Sequence, residues 1–126
     1  MKSVISAILI FIFIITASVV SGVYVNNTTD KLLQSLYKNE KFISNNLWAE
    51  AKKETKNFDE IWQKKRTVMS VFFNHTLIDR VDTSIAKIKN AVKMQEKGVF
   101  LYEKSNIEIV LLSLKEQQKI NAGNIF

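Results

Sequence analysis

The sequence predicts an all-α protein: an N-terminal transmembrane helix followed by a small antiparallel helical bundle of about four segments. Three observations predict it. Val4 to Val25 is a run of 22 residues without a charge. The chain has no Pro and only three Gly, at positions 22, 98 and 123, so little in it interrupts a helix. The residues after Val25 repeat their apolar positions at helical intervals.

The first element is the charge-free run itself, VISAILIFIFIITASVVSGVYV, preceded by Met1, Lys2 and Ser3. At 1.5 Å rise per residue a helix of this length crosses the ~30 Å hydrocarbon core of a bilayer. A buried core helix is disfavoured because the β-branched and aromatic density from Ile8 to Ile15 has no polar face to show water. Ser6, Thr16, Ser18 and Ser21 can bond back to helix carbonyls and do not oppose insertion. The run exceeds the 7–15 apolar residues of a secretory signal, so a retained anchor is the favoured reading. Cleavage after Ser21, within Val19-Val20-Ser21-Gly22, is the alternative. Lys2 precedes the span while Lys31 and Lys38 follow it, so the positive-inside balance is nearly even. A three-residue tail bearing Lys2 ordinarily stays in the cytoplasm, which puts the C-terminal region outside. Tyr24 then falls at headgroup level, where an amphipathic ring fits.

Residues 1–25 are thus read as a signal-anchor and residues 26–126 as one extracytoplasmic domain, since about a hundred residues suffice for one small core and not two. This part carries 17 basic and 12 acidic residues, a net +5. That suits apposition to an anionic bilayer surface. The charge is spread along the chain and matches no nucleic-acid-reading motif. The absence of Cys excludes disulfides, thiolate metal sites and a Cys nucleophile.

Asn26-Asn27-Thr28-Thr29-Asp30 reads as a short polar step that could cap the next helix, although nothing there forbids the spanning helix from continuing. Leu32, Leu33, Leu36, Phe42 and Ile43 make an apolar stripe, and Asn45-Asn46 a turn. Trp48, Ala51, Thr55, Phe58, Trp62, Lys65, Met69 and Phe72 follow at alternating spacings of three and four, a heptad seam with one exception at Lys65. The phase breaks near Asn74, so a turn or a bend lies somewhere between Lys64 and Asn74. A new seam runs through His75, Ile78, Val81, Ile85, Ile88 and Val92. Gly98 reads as the stop of this segment. A last helix is expected from about Phe100 to Ile120, with Leu101, Ile107, Leu111, Leu112 and Leu114 as its apolar residues.

Few residues invite chemistry. His75, Asp79 and Asp82 share one helical side and could contribute to a metal site, but three ligands from one helix rarely converge on one ion. A His at the core edge bonded to Asp79 is the favoured reading. Trp48 and Trp62 lie two heptads apart on one seam, as core anchors in preference to a recognition groove. The clusters Lys52, Lys53, Lys56; Lys64, Lys65, Arg66; and Lys87, Lys89, Lys93 are interleaved with acids and read as solvated faces. No phosphate loop, nucleophile elbow, zinc-protease helix or calcium loop occurs. The expectation is a protein that is not an enzyme and has no cofactor.

The order of a short anchor, Trp48-Ala49-Glu50-Ala51, Trp62 followed by lysines, His75 with Ile78-Asp79 behind it, and Asn124-Ile125 resembles a family of short bacterial membrane-anchored proteins. It is catalogued as a domain of unknown function, number four-three-six-three, and is found mainly in spore-forming Gram-positive lineages. The resemblance covers nearly the whole chain and implies architecture and setting, with no activity. It singles out Trp48, Ala51, Trp62, His75, Asp79 and Asn124 as the structural or interaction positions. It also implies a membrane partner, a multi-pass protein of the YetF-like type. Asn124 implies in addition that the C-terminus docks back on the bundle.

The expected function is therefore that of a single-pass, membrane-anchored helical protein that binds or stabilises a membrane protein partner. The same seams could pair two copies into a homo-oligomer. The alternative is an extracytoplasmic ligand-sensing or carrier module acting through a partner.

Overall fold

The computed structural model describes the backbone of residues 1–125 and the side chains through Lys119. Among these residues there are four helices and no strand: α1 (Lys2–Ser44), α2 (Trp48–Phe72), α3 (His75–Lys93) and α4 (Lys97–Ile125). The connections are two or three residues long, which forces consecutive helices to run antiparallel. α1 and α3 each pack against both α2 and α4, so the four form a closed up-down-up-down ring.

α1 is one helix of 43 residues, about 65 Å long at 1.5 Å per residue. The polar step expected at Asn26–Asp30 is not a break. Thr29 donates its hydroxyl to the Val25 carbonyl at 2.9 Å, one turn back, and Thr28 and Thr29 are both buried. With no Pro or Gly between 26 and 30, the threonines turn inward and the helix continues. Ser6, Thr16 and Ser21 make the same kind of back-bond, to Lys2, Ile12 and Ser18, each at 2.9 Å. Every hydroxyl donor among them is thereby satisfied inside the helix.

The two halves of α1 differ completely in burial. From Lys2 to Ile14 every residue is exposed. This stretch projects from the bundle as a bare apolar stem. From Val25 to Ile43 the helix buries Leu32, Leu33, Leu36 and Ile43, four of the five residues of the expected stripe, with Phe42 packed at its edge.

The core is a single cluster drawn from all four helices, with Trp62 and Phe100 its largest fully buried side chains. The α2 seam is buried at Ala51, Thr55, Phe58, Trp62 and Met69. It departs at its end: α2 stops at Phe72, which is exposed, and Phe73 in the following extended link is buried in its place. The α3 seam is buried at Ile78, Val81, Ile85, Ile88 and Val92, whereas His75, expected at the core edge, is exposed.

Gly98 does not stop α3. The helix ends at Lys93, the left-handed residue is Gln95 with φ 55°, and Gly98 lies in the first turn of α4. α4 therefore begins three residues earlier than expected. Its inner face is Phe100, Ile107, Val110, Leu111 and Leu114, while Leu101 and Leu112 point outward.

Candidate functional site

Polar side chains enter the helix interfaces at several levels. Nearest the turns that join α1 to α2 and α3 to α4, Asn39 donates to the Thr55 hydroxyl at 2.8 Å, and Thr55 in turn donates to the Ala51 carbonyl at 2.8 Å. One turn along, the Ser35 hydroxyl donates to Glu54 at 2.7 Å, with Asn57 donating to the same oxygen at 3.0 Å and the Lys38 ammonium 3.6 Å from the other. Burial on its own would raise the Glu54 carboxyl. The bonds from Ser35 and Asn57 and the Lys38 charge outweigh it and hold the group below the usual carboxylate range.

At the level of Trp62, α2 and α3 share a carboxylate. Trp62 donates its indole N–H to Asp82 Oδ1 at 2.7 Å. Arg66 reaches both oxygens of Asp82 through Nε, at 3.1 and 2.9 Å, and through a terminal nitrogen at 2.8 Å. Burial opposes the charge on Asp82, but the donors from Arg66 and Trp62 prevail, and the carboxyl lies below its ordinary range. The Arg66 guanidinium is raised by the same pairing. A fork-to-carboxylate geometry of this kind fixes one helix's rotation against the next.

Between α1 and α4, Lys104 sits 3.1 Å from Glu40 and 2.9 Å from Glu108 and over the Tyr37 ring at 5.4 Å. The bond to Glu108 is the main cause that raises the Lys104 ammonium above its usual value, with burial opposing it and Glu40 adding to the rise. Further along, Lys115 pairs with Asp30 at 2.6 Å and Gln118 donates to the Ser21 hydroxyl at 3.0 Å.

The positions singled out in the sequence separate into two groups. Ala51 and Trp62 are fully buried and Trp48 packs at the rim of the core. His75 and Asp79 are exposed. Asp82, read with them as a metal-ligand candidate, is committed to Trp62 and Arg66 on α2. No group of three His, Cys, Asp or Glu among the described residues is arranged to hold a metal ion. Asn124 falls in α4 but its side chain lies outside the described residues. The five of these positions whose side chains are described thus divide between core and surface and do not form one cluster.

The two larger open clefts described beside α3 lie on its two sides. One, of about 560 Å³ between α3 and α4, carries both charge signs: Asp79, Arg80, Lys87 and Glu103. The other, of about 650 Å³ between α2 and α3, is walled by Lys52, Lys56, Lys89 and Lys93 against Asp59 and Glu60, over Val92. Lys89 pairs with Asp59.

Sequence reasoning missed the residues that bind helix to helix: Ser35, Asn39, Glu54 and Arg66. A signal existed for the first two. They are polar residues four apart on the same face as Leu32, Leu36 and Ile43, hence at interior positions. It also missed the outward stripe of α4. Leu101, Tyr102, Ile109 and Leu112 are all exposed, Tyr102 by 67% and Ile109 by 66%, on a helix whose opposite face already fills the core.

The chain belongs to the family described as a domain of unknown function (DUF4363), whose model matches residues 19–125. The matched region begins inside the apolar run and takes in the whole of α2 and α3. No curated protein and no solved structure matches the chain.

Proposed function

We propose that this member of the DUF4363 family is a single-pass membrane protein whose extracytoplasmic bundle binds or stabilises a membrane protein partner, and that it does so without catalysis. The anchor reading rests on α1, the one described helix long and apolar enough to cross a bilayer. The observation that carries the partner is the outward stripe of α4. A helix apolar on both faces is normally covered on both. In the isolated chain nothing covers Leu101, Tyr102, Ile109 and Leu112, whereas the neighbouring polar groups of the bundle are largely paired with each other. A helix of a multi-pass protein, continuing out of the membrane beside α1, would bury such a stripe.

The experiment is crosslinking of the tagged full-length protein in intact cells, with protease added outside to half the sample. Digestion of the bundle together with a crosslinked species containing a larger membrane protein is expected, and Ile109→Glu combined with Leu112→Glu should abolish that species. A protected bundle would overturn the orientation. A lone monomer in the untreated half would overturn the partner, and a species of twice the mass would replace it with a second copy of this chain.

The cleft between α2 and α3 favours one further reading, a carrier or sensing module for a small anion. Four lysines against two carboxylates, Asp59 and Glu60, leave the cleft with an excess of positive charge over Val92, which suits that ligand class. A thermal-shift series with phosphate, sulfate and small carboxylates reads it directly; melting temperatures unmoved by any of them remove it.

A further inference from the structure

The fully exposed stem of α1 is shorter than the charge-free run to which it belongs. Lys2 to Ile14, the part exposed on every side, spans about 20 Å at 1.5 Å per residue, against a hydrocarbon core of about 30 Å. The charge-free run continues through the next turns of α1, Ile15 to Tyr24, which are exposed or half-buried, and reaches its first buried residue at Val25. There the helix already has company: Ser21 accepts from Gln118 of α4, and Tyr24 lies under Lys65 of α2, 5.1 Å from ring centre to ammonium. If the apolar run crosses the membrane, the lower end of the bundle enters it too.

The lower end is built for this. Three cross-links set the register of α2 on α1: Asn39 with Thr55, Ser35 with Glu54, and Tyr24 with Lys65. Running antiparallel, they place Val71 opposite the Ser18–Val23 stretch of α1. That is roughly 2–9 Å deeper than Tyr24 at 1.5 Å per residue, the depth at which an interfacial segment buries its apolar side. From Thr67 to Ile78 there is no Asp, Glu, Lys or Arg, the longest such run outside the apolar segment of α1. Within it Val68, Val71 and Phe72 are exposed, Val71 by 77%. The Ser70 hydroxyl is satisfied by the Thr67 carbonyl at 2.6 Å, and Asn74 caps α3 with its side chain. Lys64, Lys65 and Arg66 stand directly above the charge-free run, at the height where lipid phosphates would lie.

We propose that the α2–α3 hairpin tip, with Val68, Val71 and Phe72 exposed upon it, is a second membrane contact that enters the same leaflet as the C-terminal turns of the α1 span. Lys64 and Lys65 above it meet anionic phospholipid headgroups. The proposal rests on the anchor reading. It makes the protein a two-point attachment: the stem fixes it in the bilayer, and the tip fixes the tilt and rotation of the bundle above the surface. The outward stripe of α4 is then presented at a set angle.

The chain contains no Cys, which makes site-specific labelling clean. Three full-length variants, Ile12→Cys, Val71→Cys and Met94→Cys, each carry an environment-sensitive fluorophore. They are reconstituted in vesicles of phosphatidylcholine and phosphatidylglycerol with brominated acyl chains. All three positions are exposed, so labelling leaves the fold intact. The expected result is strong loss of emission at positions 12 and 71 and none at position 94, with the loss at 71 reduced when phosphatidylglycerol is omitted or Lys64 and Lys65 are both changed to Glu. Quenching at 12 without quenching at 71 overturns the proposal and leaves the anchor standing. No quenching at 12 overturns the anchor and the proposal with it. Quenching at 94 equal to that at 71 means a bundle lying flat on the membrane, which also overturns it.

Discussion

At its far end the bundle is closed by two turns of one design; at the end bearing the stem it is closed by a single turn of another. After α1, the Asn46 N–H bonds the Ile43 carbonyl at 3.1 Å and the Leu47 N–H bonds the Phe42 carbonyl at 2.8 Å. After α3, the Gln95 N–H bonds the Val92 carbonyl at 3.2 Å and the Glu96 N–H bonds the Ala91 carbonyl at 2.9 Å. Both are Schellman motifs with a left-handed residue at C′, Asn46 at φ 58° and Gln95 at φ 55°. The α2–α3 link has no left-handed residue. Phe73 and Asn74 are extended, and the Asn74 side chain accepts from the Leu77 N–H at 3.0 Å. The far end also exposes Leu47, Met94 and Val99, but sets Asn45, Glu96 and Lys97 among them. The other end leaves apolar residues uncovered beside the apolar stem. The difference teaches that the surface of this bundle is graded along its length although its core is continuous.

The largest break comes from the core nearer the stem. Trp62→Ala removes a fully buried ring and leaves Asp82 without its indole donor. A loss of about 3–5 kcal/mol is expected from such truncations, read by chemical denaturation in detergent micelles. Trp48, only packed at the rim near the far end, should cost clearly less as Trp48→Ala. Equal costs would mean that the two ends do not differ in packing.

Acid sharpens the comparison, because each half holds one depressed carboxylate, Glu54 toward the far end and Asp82 toward the stem. Each binds its proton less readily folded than unfolded. The stability each contributes is therefore complete above the unfolded value, about 4, and is lost as pH falls through the lower folded value. Stability should be flat from neutral pH to about pH 5 and decline below about pH 4. Glu54→Gln and Asp82→Asn should each make that acid limb shallower and lower the neutral plateau. An acid limb unchanged in both variants would show that other groups govern it.

Much of this division was legible in the sequence. Ile78, Val81, Ile85, Ile88 and Val92 were readable because α3 alternates apolar and charged residues with one clear face. Asn45-Asn46 and Asn74 were readable as breaks because Asn serves both left-handed and capping positions. The continuity of α1 was left open, since Thr28 and Thr29 look polar until burial and the Thr29 back-bond absorb them. Phe72 and Phe73 could not be ordered, because which of two adjacent rings is buried depends on where α2 ends. α4 misled for a related reason: with apolar residues on both faces, Leu101 and Leu112 satisfy helical spacing as well as Phe100 and Leu111 do. The links Ser35–Glu54 and Trp62–Asp82–Arg66 join separate helices, so they follow from register and not from any local pattern.

A smaller effect tests the stem-end turn. Asn74→Ala deletes the side-chain acceptor of the α3 cap and should cost about 1 kcal/mol. Asn74→Ser should restore most of it, since a hydroxyl can accept from the same N–H. No loss in the alanine variant would mean that the turn is held by Phe73 burial alone.

The smallest effect has the opposite sign and belongs to the far end. Gln95 occupies a left-handed conformation that costs a side chain with a Cβ roughly 1 kcal/mol relative to Gly. It is exposed, so nothing in its packing requires glutamine. Gln95→Gly should raise stability by about 1 kcal/mol or slightly less, because glycine also gains freedom in the unfolded chain. Asn46→Gly, in the matching turn, should gain less, because Asn tolerates this region better than Gln does. Measured together by denaturant midpoint, the two substitutions rank the strain of turns that share one hydrogen-bond pattern. A larger gain at Asn46 than at Gln95 would mean that the glutamine side chain makes a compensating contact at the far end, and the far-end turns would no longer be equivalent.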